Sequence, residues 1–174
     1  MLEKYYPYEY ARSVLEIDYV KLYTLGYRAV LFDIDNTLVH HGDDATPEIE
    51  ELFRYIHSIG LKTLLLSNND EERVQRFIRN IDTPYLCDAD KPNPEAYRKA
   101  AEMLGISRKE AVVIGDQIFT DILGANRCGM PSILVHYITI PGVTKIGKKR
   151  YLEKAMLFLY EKSRYSHRFG TILK

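Results

Sequence analysis

The stretch Arg28-Ala-Val-Leu-Phe-Asp-Ile-Asp-Asn-Thr-Leu-Val39 decides the fold: an apolar β-type run, Ala29 to Phe32, ends in Asp33 and Asp35, two carboxylates two residues apart. Side chains of a strand alternate faces, so i and i+2 point the same way and the two acids converge where the strand leaves its sheet. In open α/β sheets that carboxyl edge is where ligands bind. Like charges held together cost free energy unless a cation or a shared proton compensates. Taken alone, the same residues also read as an ordinary turn, because Asp and Asn are turn formers.

Outward from this stretch, strand and helix patterns alternate. Strands are expected over Ala29–Ile34, Leu61–Leu66, Tyr85–Cys87, Ala111–Ile114 and Ser132–His136. Helices are expected over Pro47–Ile59, Asp70–Asn80, Pro94–Leu104 and Ile118–Arg127. Thr46 suits the N-cap of the first of these, with Pro47 at its first position and Gly60 past its end. Such alternation implies an α/β fold, a doubly wound, Rossmann-like parallel sheet with flanking helices and right-handed crossovers. The strands are continuous apolar runs, as a sheet covered on both faces requires. Two segments lie outside this pattern. Residues 1–27 form an N-terminal extension, partly helical across Ala11–Leu25. Residues 145–165 form a C-terminal amphipathic helix, with Leu152, Ala155, Met156 and Leu159 on the side expected to dock against the sheet. The expectation is one domain over residues 1–174, with its core at 28–136.

Twenty-four basic residues balance 24 acidic ones, so nothing global calls for a polyanion and no nucleic-acid partner is expected. The balance is uneven locally: Lys145–Arg168 carries eight basic residues and two acidic ones. Such a patch is ordinarily a solvated helix face, and it also suits phosphates or anionic lipid. Cys87 and Cys128 sit in no Cys-x-x-Cys pair and read as buried thiols of a reducing compartment. The start, Met1 to Pro7, lacks an apolar signal core, and no apolar run approaches the ~20 residues of a membrane span. The expected location is cytoplasmic, with peripheral contact at an inner membrane surface left open.

Most of the apolar strands end in chemically useful residues. The first ends in Asp33 and Asp35, the second in Ser67-Asn68-Asn69, and the fourth in Gly115-Asp116, followed by Asp121; Lys91 lies in Asp90-Lys91-Pro92-Asn93-Pro94, just before a helix. Parallel strands bring these ends to one edge. Clustered carboxylates suit Mg²⁺, which keeps most of its waters and uses one or two carboxylates plus substrate phosphate. A carboxylate can attack phosphorus and form an aspartyl-phosphate. A Lys, a Ser hydroxyl, backbone N–H groups and the metal can balance charge on the transferring group. A second acid can protonate the leaving oxygen and then activate water. Each residue also has a bland reading: Ser67 and Asn68 as helix caps, Lys91 as an exposed loop residue, Gly115-Asp116 as a strand-to-helix turn. Their joint occurrence, in order and at strand ends, argues against coincidence. His40 and His41 complete no Zn site with other Cys or His and read as structural or solvated.

The set Asp33-Ile-Asp35-Asn-Thr37, Leu66-Ser67-Asn68-Asn69, Lys91-Pro92 and Gly115-Asp116-Gln-Ile-Phe-Thr-Asp121 resembles the four motifs of the haloacid dehalogenase superfamily, in order and spacing. Within it the chain is similar to the YqeG-type subfamily of small phosphatases, in Leu-Ser-Asn-Asn, Val-Val-Ile-Gly-Asp-Gln and Thr-Asp-Ile-Leu-Gly-Ala-Asn-Arg, and in the extension with its early Pro7. The resemblance implies a Mg²⁺-dependent phosphomonoester hydrolase. Asp33 would be the nucleophile, and its side chain with the backbone carbonyl of Asp35 would bind the metal. Asp35 would be the general acid and then base, the paired Asp that marks phosphatases rather than dehalogenases. Thr37 would support the loop, while Ser67 and the Asn68 N–H would hold phosphoryl oxygens. Lys91 would neutralise charge, Asp116 would supply the remaining metal carboxylate, and Asp121 would orient Lys91 or assist the metal. Thirty positions separate Thr37 from Ser67 and 24 separate Ser67 from Lys91, too few for the cap domain that many members carry. An open crevice follows.

The phosphorylated substrate is a small molecule, a phosphoprotein or a lipid head group. Relatives implied by the resemblance include phosphatidylglycerophosphate phosphatases, and the basic helix suits an anionic bilayer, with Lys148, Lys149, Arg150 and Lys154 approaching it. Two non-enzymatic readings stand beside this one. A phosphoacceptor resembling response-regulator receivers would place its phosphorylated Asp after the third strand, where Cys87-Asp88 is the candidate. A scaffold would keep the fold without turnover.

Overall fold

The computed structural model describes residues 2–142 and 147–174. Lys145 and Ile146, at the start of the expected C-terminal helix segment, lie outside the described residues. Six strands, β1 (Glu9–Ala11), β2 (Ala29–Phe32), β3 (Lys62–Leu66), β4 (Tyr85–Leu86), β5 (Ala111–Gly115) and β6 (Ser132–Val135), form one sheet in the order β1-β6-β5-β2-β3-β4. Every pairing is parallel. The helices are α1 (Tyr19–Thr24), α2 (Pro47–Ile59), α3 (Glu71–Phe77), α4 (Pro94–Leu104), α5 (Leu123–Cys128) and α6 (Lys148–Glu161). Among the described residues no helix is long and apolar enough to cross a membrane.

The continuous apolar strands are divided between two cores by the two-residue period of the backbone. Val30, Phe32, Leu65, Val112 and Ile114 face one cluster, with Ile49, Phe53 and Ile56 of α2 and Val74 of α3. Ala29, Leu31, Leu64, Leu66, Ala111 and Val113 face the other, with Tyr97 and Ala101 of α4 and Ala125 of α5. Both faces are covered, so polar alternation is absent from the strands.

Local signals set the helix ends. Thr46 accepts from the Ile49 N–H, Pro47 occupies the first turn, and Gly60 closes α2 at φ 96°. Asn93 caps α4, and Asp70, rather than Ser67 or Asn68, caps α3. The expected Ile118–Arg127 helix divides: Ile118–Ile122 form a π turn that runs into α5. Extra residues of this kind inside a helix re-aim side chains and recur at functional sites.

Two findings depart from expectation at the chain ends. The N-terminal extension contributes β1, which pairs with β6 as an edge strand, and its helix is shortened to Tyr19–Thr24. Glu9 opens that strand with its carboxylate buried against the His167 ring, a pairing no local pattern signals. On α6, the face turned inward carries Arg150, Glu153, Met156, Leu157 and Tyr160, while Leu152, Ala155 and Leu159 are exposed. Cys128 is buried as expected, and Cys87 is only half-buried.

Gly124 lets α5 lie close to α4, since a Cβ there would sit 2.4 Å from the Tyr97 ring. Gly124→Ala should cost about 1–3 kcal/mol by overpacking, read as a lower urea midpoint with unchanged slope.

Candidate active site

Register brings the motif residues together. Phe32 of β2 lies opposite both Leu65 of β3 and Ile114 of β5, so Ser67 and Asp116 leave the sheet at one level, one residue beyond that of Asp33. The neighbours of β2 are reached by chain running in opposite directions, which makes this the switch point where α/β sheets open a crevice. A cavity of about 200 Å³ lies there, with Asp33, Asp35, Ser67, Asn68, Asn69 and Lys91 in its wall.

Lys91 occupies its floor. The ammonium is 2.5 Å from Asp33 Oδ1 and 2.8 Å from Asp121 Oδ1, with the side chain only 4% exposed. This is no ordinary loop lysine. Asn68 holds the backbone around it, accepting from the Lys91 N–H at 2.7 Å and donating to the Lys91 carbonyl at 3.3 Å. Burial alone would lower the lysine's pKa, but Asp121 and Asp33 outweigh it and raise the value. Thr37 Oγ1 lies 3.1 Å from Asp33 Oδ2 and 3.2 Å from Asp116 Oδ1, joining two carboxylates from different strands. Asn36, between the acids and Thr37, takes the left-handed conformation at φ 62°, which Asn tolerates.

Oxygens of Asp33, Asp116 and Asp121 lie within 4.8 Å of one another. The close packing of Asp121 requires Gly115, where a Cβ would sit 2.3 Å from Asp121 Cγ. Three buried carboxylates face two cations, Lys91 and Arg150, and this residual negative charge fits a metal ion bound by oxygen ligands. All three carboxylates are also held by the protein: Asp33 by Lys91 and Thr37, and Asp116 by Thr37 and Arg150. Asp121 has one oxygen on Lys91 and the other accepting from the Gln117 N–H at 3.1 Å.

Burial, helped by the neighbouring carboxylates and opposed by Lys91, pushes Asp33 up to about 6. Burial with Asp33 and Asp121, opposed by Arg150, pushes Asp116 up to about 7.

Asp35 leads a separate life. The strand ends at Phe32, so the alternation that would converge the two acids stops before Asp35, and its carboxylate lies outside the metal-capable group. Oδ2 accepts from Asn69 Nδ2 at 2.8 Å and Oδ1 from Arg73 Nη2 at 2.9 Å, while the His41 ring is 3.1 Å away. Burial alone would raise its pKa, but hydrogen bonds from Asn69, the Gly42 N–H and Arg73 lower it. Ser67 is buried and its Oγ accepts from the Asn69 N–H at 3.1 Å and from Asn69 Nδ2 at 2.9 Å.

Four contributors escape sequence reading. Asn69 follows Ser67 and Asn68 with no signal of its own, His41 reads as solvated, and Arg73 sits in a charged helix turn. Arg150 reads as a cation for lipid, yet it turns inward: it pairs with the Asp116 carboxylate and donates to the Asp116 carbonyl at 2.7 Å. Only chain folding from position 150 back to 116 reveals it.

A family model described as haloacid dehalogenase-like hydrolase matches residues 40–129, beginning just after the Asp33–Thr37 motif. The chain is 36% identical over 137 residues to the Bacillus subtilis (strain 168) protein named "Probable phosphatase YqeG", a match spanning 78% of this chain and 80% of that one. It is 31% identical over 97 residues to glyceraldehyde 3-phosphate phosphatase of Methanopyrus kandleri, spanning 53% of this chain and 42% of that one. Among solved structures, NagD of E. coli K-12 superposes with a TM-score of 0.55 at 14% identity, over 70% of this chain and 94% of that one. An uncharacterized protein from Listeria monocytogenes serotype 4b gives 0.54 at 20% identity, over 78% and 99%. These structural likenesses concern the fold.

The raised carboxyls give a signed pH dependence. Their folded values of about 6 and 7 exceed the ordinary 3.8, so their contribution to stability is present below 3.8 and lost as pH rises through 6 to 7. A bound cation offsets that loss and displaces protons. The rise in Tm on adding Mg²⁺ should therefore be larger at pH 7.5 than at pH 5.5, by thermal denaturation with EDTA as reference.

Proposed function

Because the chain belongs to the haloacid dehalogenase-like hydrolases and is a phosphatase of that family, we propose that it hydrolyses phosphomonoesters through an aspartyl-phosphate on Asp33, with Mg²⁺ as cofactor. The observation that carries this reading is Lys91, buried between Asp33 and Asp121 at the crevice floor. Asp33, Asp116 and the backbone carbonyl of Asp35 would hold the metal, which supplies charge neutralisation on the phosphoryl oxygens when bound.

In this mechanism Asp33 attacks phosphorus, the ester P–O bond breaks, and Asp35 delivers a proton to the leaving oxygen. Water then attacks phosphorus, Asp35 takes its proton, and the P–O bond to Asp33 breaks to release inorganic phosphate. Hydrogen bonds from Asn69 and Arg73 favour the charged form of Asp35. A dianionic phosphate entering beside it favours its protonated form, since like charges raise a carboxyl's pKa. Lys91 stays charged throughout and balances Asp33 and the transferring group. Ser67 and the Asn68 N–H serve the phosphoryl oxygens. Asp121 orients Lys91, on which one of its oxygens rests at 2.8 Å.

We take the chain as one domain built around residues 28–136. The segment from Thr37 to Ser67 is filled by α2 and β3, and that from Ser67 to Lys91 by α3 and β4. A crevice left open in this way suits a head group presented at a surface, and phosphatidylglycerophosphate is the substrate we propose.

Asp33→Asn should lower Mg²⁺-dependent phosphate release at least about 10³-fold, as loss of a nucleophile does. Asp35→Asn should lower it about 10²–10⁴-fold, the range for a lost acid–base group. The assay is phosphate release from phosphatidylglycerophosphate in mixed micelles and from sugar phosphates, nucleotides and an aryl phosphate. Turnover of soluble esters alone overturns the lipid substrate, and turnover retained by Asp33→Asn overturns the nucleophile.

A further inference from the structure

The inner face of α6 is seated both by apolar packing, with Met156 and Leu157 on Ile118, Ile122 and Leu134, and by charge. Arg150 binds Asp116, Glu153 accepts from the Ile118 N–H at 2.8 Å, and an apolar-walled cavity of about 200 Å³ remains beside Tyr10, Leu134 and Leu157. Amphipathic helices of globular proteins ordinarily keep charged residues on the face away from the core. Here Tyr151, Leu152, Phe158 and Leu159 stand 63%, 61%, 56% and 43% exposed. At 3.6 residues per turn these positions and the exposed Ala155 share one side of the helix, so they form a continuous stripe along α6.

Charge surrounds the stripe asymmetrically. Lys148, Lys149, Lys154 and Lys162 are all exposed, and the Lys162 ammonium lies 4.2 Å from the Phe158 ring centre. Among the described residues of this helix, Glu161 is the exposed acid and Glu153 is buried. An apolar stripe rimmed by lysines is complementary to an interface with negative charge at head-group level and hydrocarbon beneath. A second copy of this chain would bring lysine rim against lysine rim, and like charges oppose that.

We propose that the outer face of α6 docks on an anionic lipid bilayer, with Tyr151, Leu152, Phe158 and Leu159 entering the interface and the lysines at the head groups. The docking itself stands apart from the phosphatase reading; its consequence rests on that reading. Arg150, on the opposite side of the same helix, reaches Asp116. Bilayer contact therefore brings lipid to within about one helix diameter, ~10 Å, of the carboxyl edge of the sheet.

The test is co-sedimentation of the full chain with vesicles of phosphatidylglycerol and phosphatidylcholine, against vesicles of phosphatidylcholine alone. A lysine near an anionic surface strengthens partition about fivefold, so the anionic vesicles should bind at least about tenfold more protein, and added salt should reduce the difference. The double variant Leu152→Ser/Phe158→Ser should lose at least about tenfold in binding. Both positions are exposed, so its melting temperature and its hydrolysis of a soluble aryl phosphate should stay unchanged. Equal binding to both vesicle types, or full binding by the folded double variant, overturns the proposal. So does a dimer in sedimentation equilibrium that the double variant abolishes, which would give the stripe to a second copy. Aryl phosphate turnover is read separately, so failure of the phosphatase reading and failure of lipid docking remain distinct.

Discussion

One buried ammonium organises this protein. Lys91 Nζ joins Asp33, at the end of the central strand, to Asp121, in the π turn before α5. Removing one partner of a buried ion pair leaves an uncompensated charge and costs about 3–5 kcal/mol. Here the lysine faces carboxylates from two elements, and Asn68 fixes its backbone from a third. The π turn, the Gly115 contact and the Asn68 clamp all serve to bring charges to this point. The same arrangement leaves net negative charge on the cluster, and that charge suits a cation bound by oxygen ligands.

The two aspartates that follow β2 stand in opposite environments. Asp33 is buried among carboxylates and pushed up, while Asp35 is wrapped by donors and pulled down. Environments that separate the pKa values of paired acids are how one site divides its chemical roles. The division rests on where the strand stops. Had β2 continued to Asp35, both acids would face the same partners. Its end at Phe32 frees the loop to turn at Asn36, returning Thr37 to Asp33 and leaving Asp35 to Asn69 and Arg73.

α6 connects this chemistry to the outside. Its inner face places an arginine and a glutamate on the segment that begins at Asp116, while Tyr151, Leu152, Phe158 and Leu159 stand outward. The helix thereby touches the site with one face and offers an amphipathic surface with the other.

Much of the molecule is legible from local pattern. The limits of α2 and α4 follow from Thr46, Pro47, Gly60, Pro94 and Gly105, because caps and breakers act within one turn of the chain. Continuous apolar strands ending in Asp33, Ser67 and Asp116 foretell a doubly covered parallel sheet with a polar carboxyl edge. The sequence by itself determined which residue types stand at that edge and in what order. Tertiary structure alone decided the rest: that Glu9–Ala11 is a strand, that Asp121 is spent on Lys91, that Arg150 reaches Asp116, and which side of α6 is covered. The reason is range. Helix caps and strand periods are set between near neighbours, whereas edge-strand pairing and ion pairs such as Arg150 with Asp116 exist only once distant segments have been brought into contact and water has been excluded from between them.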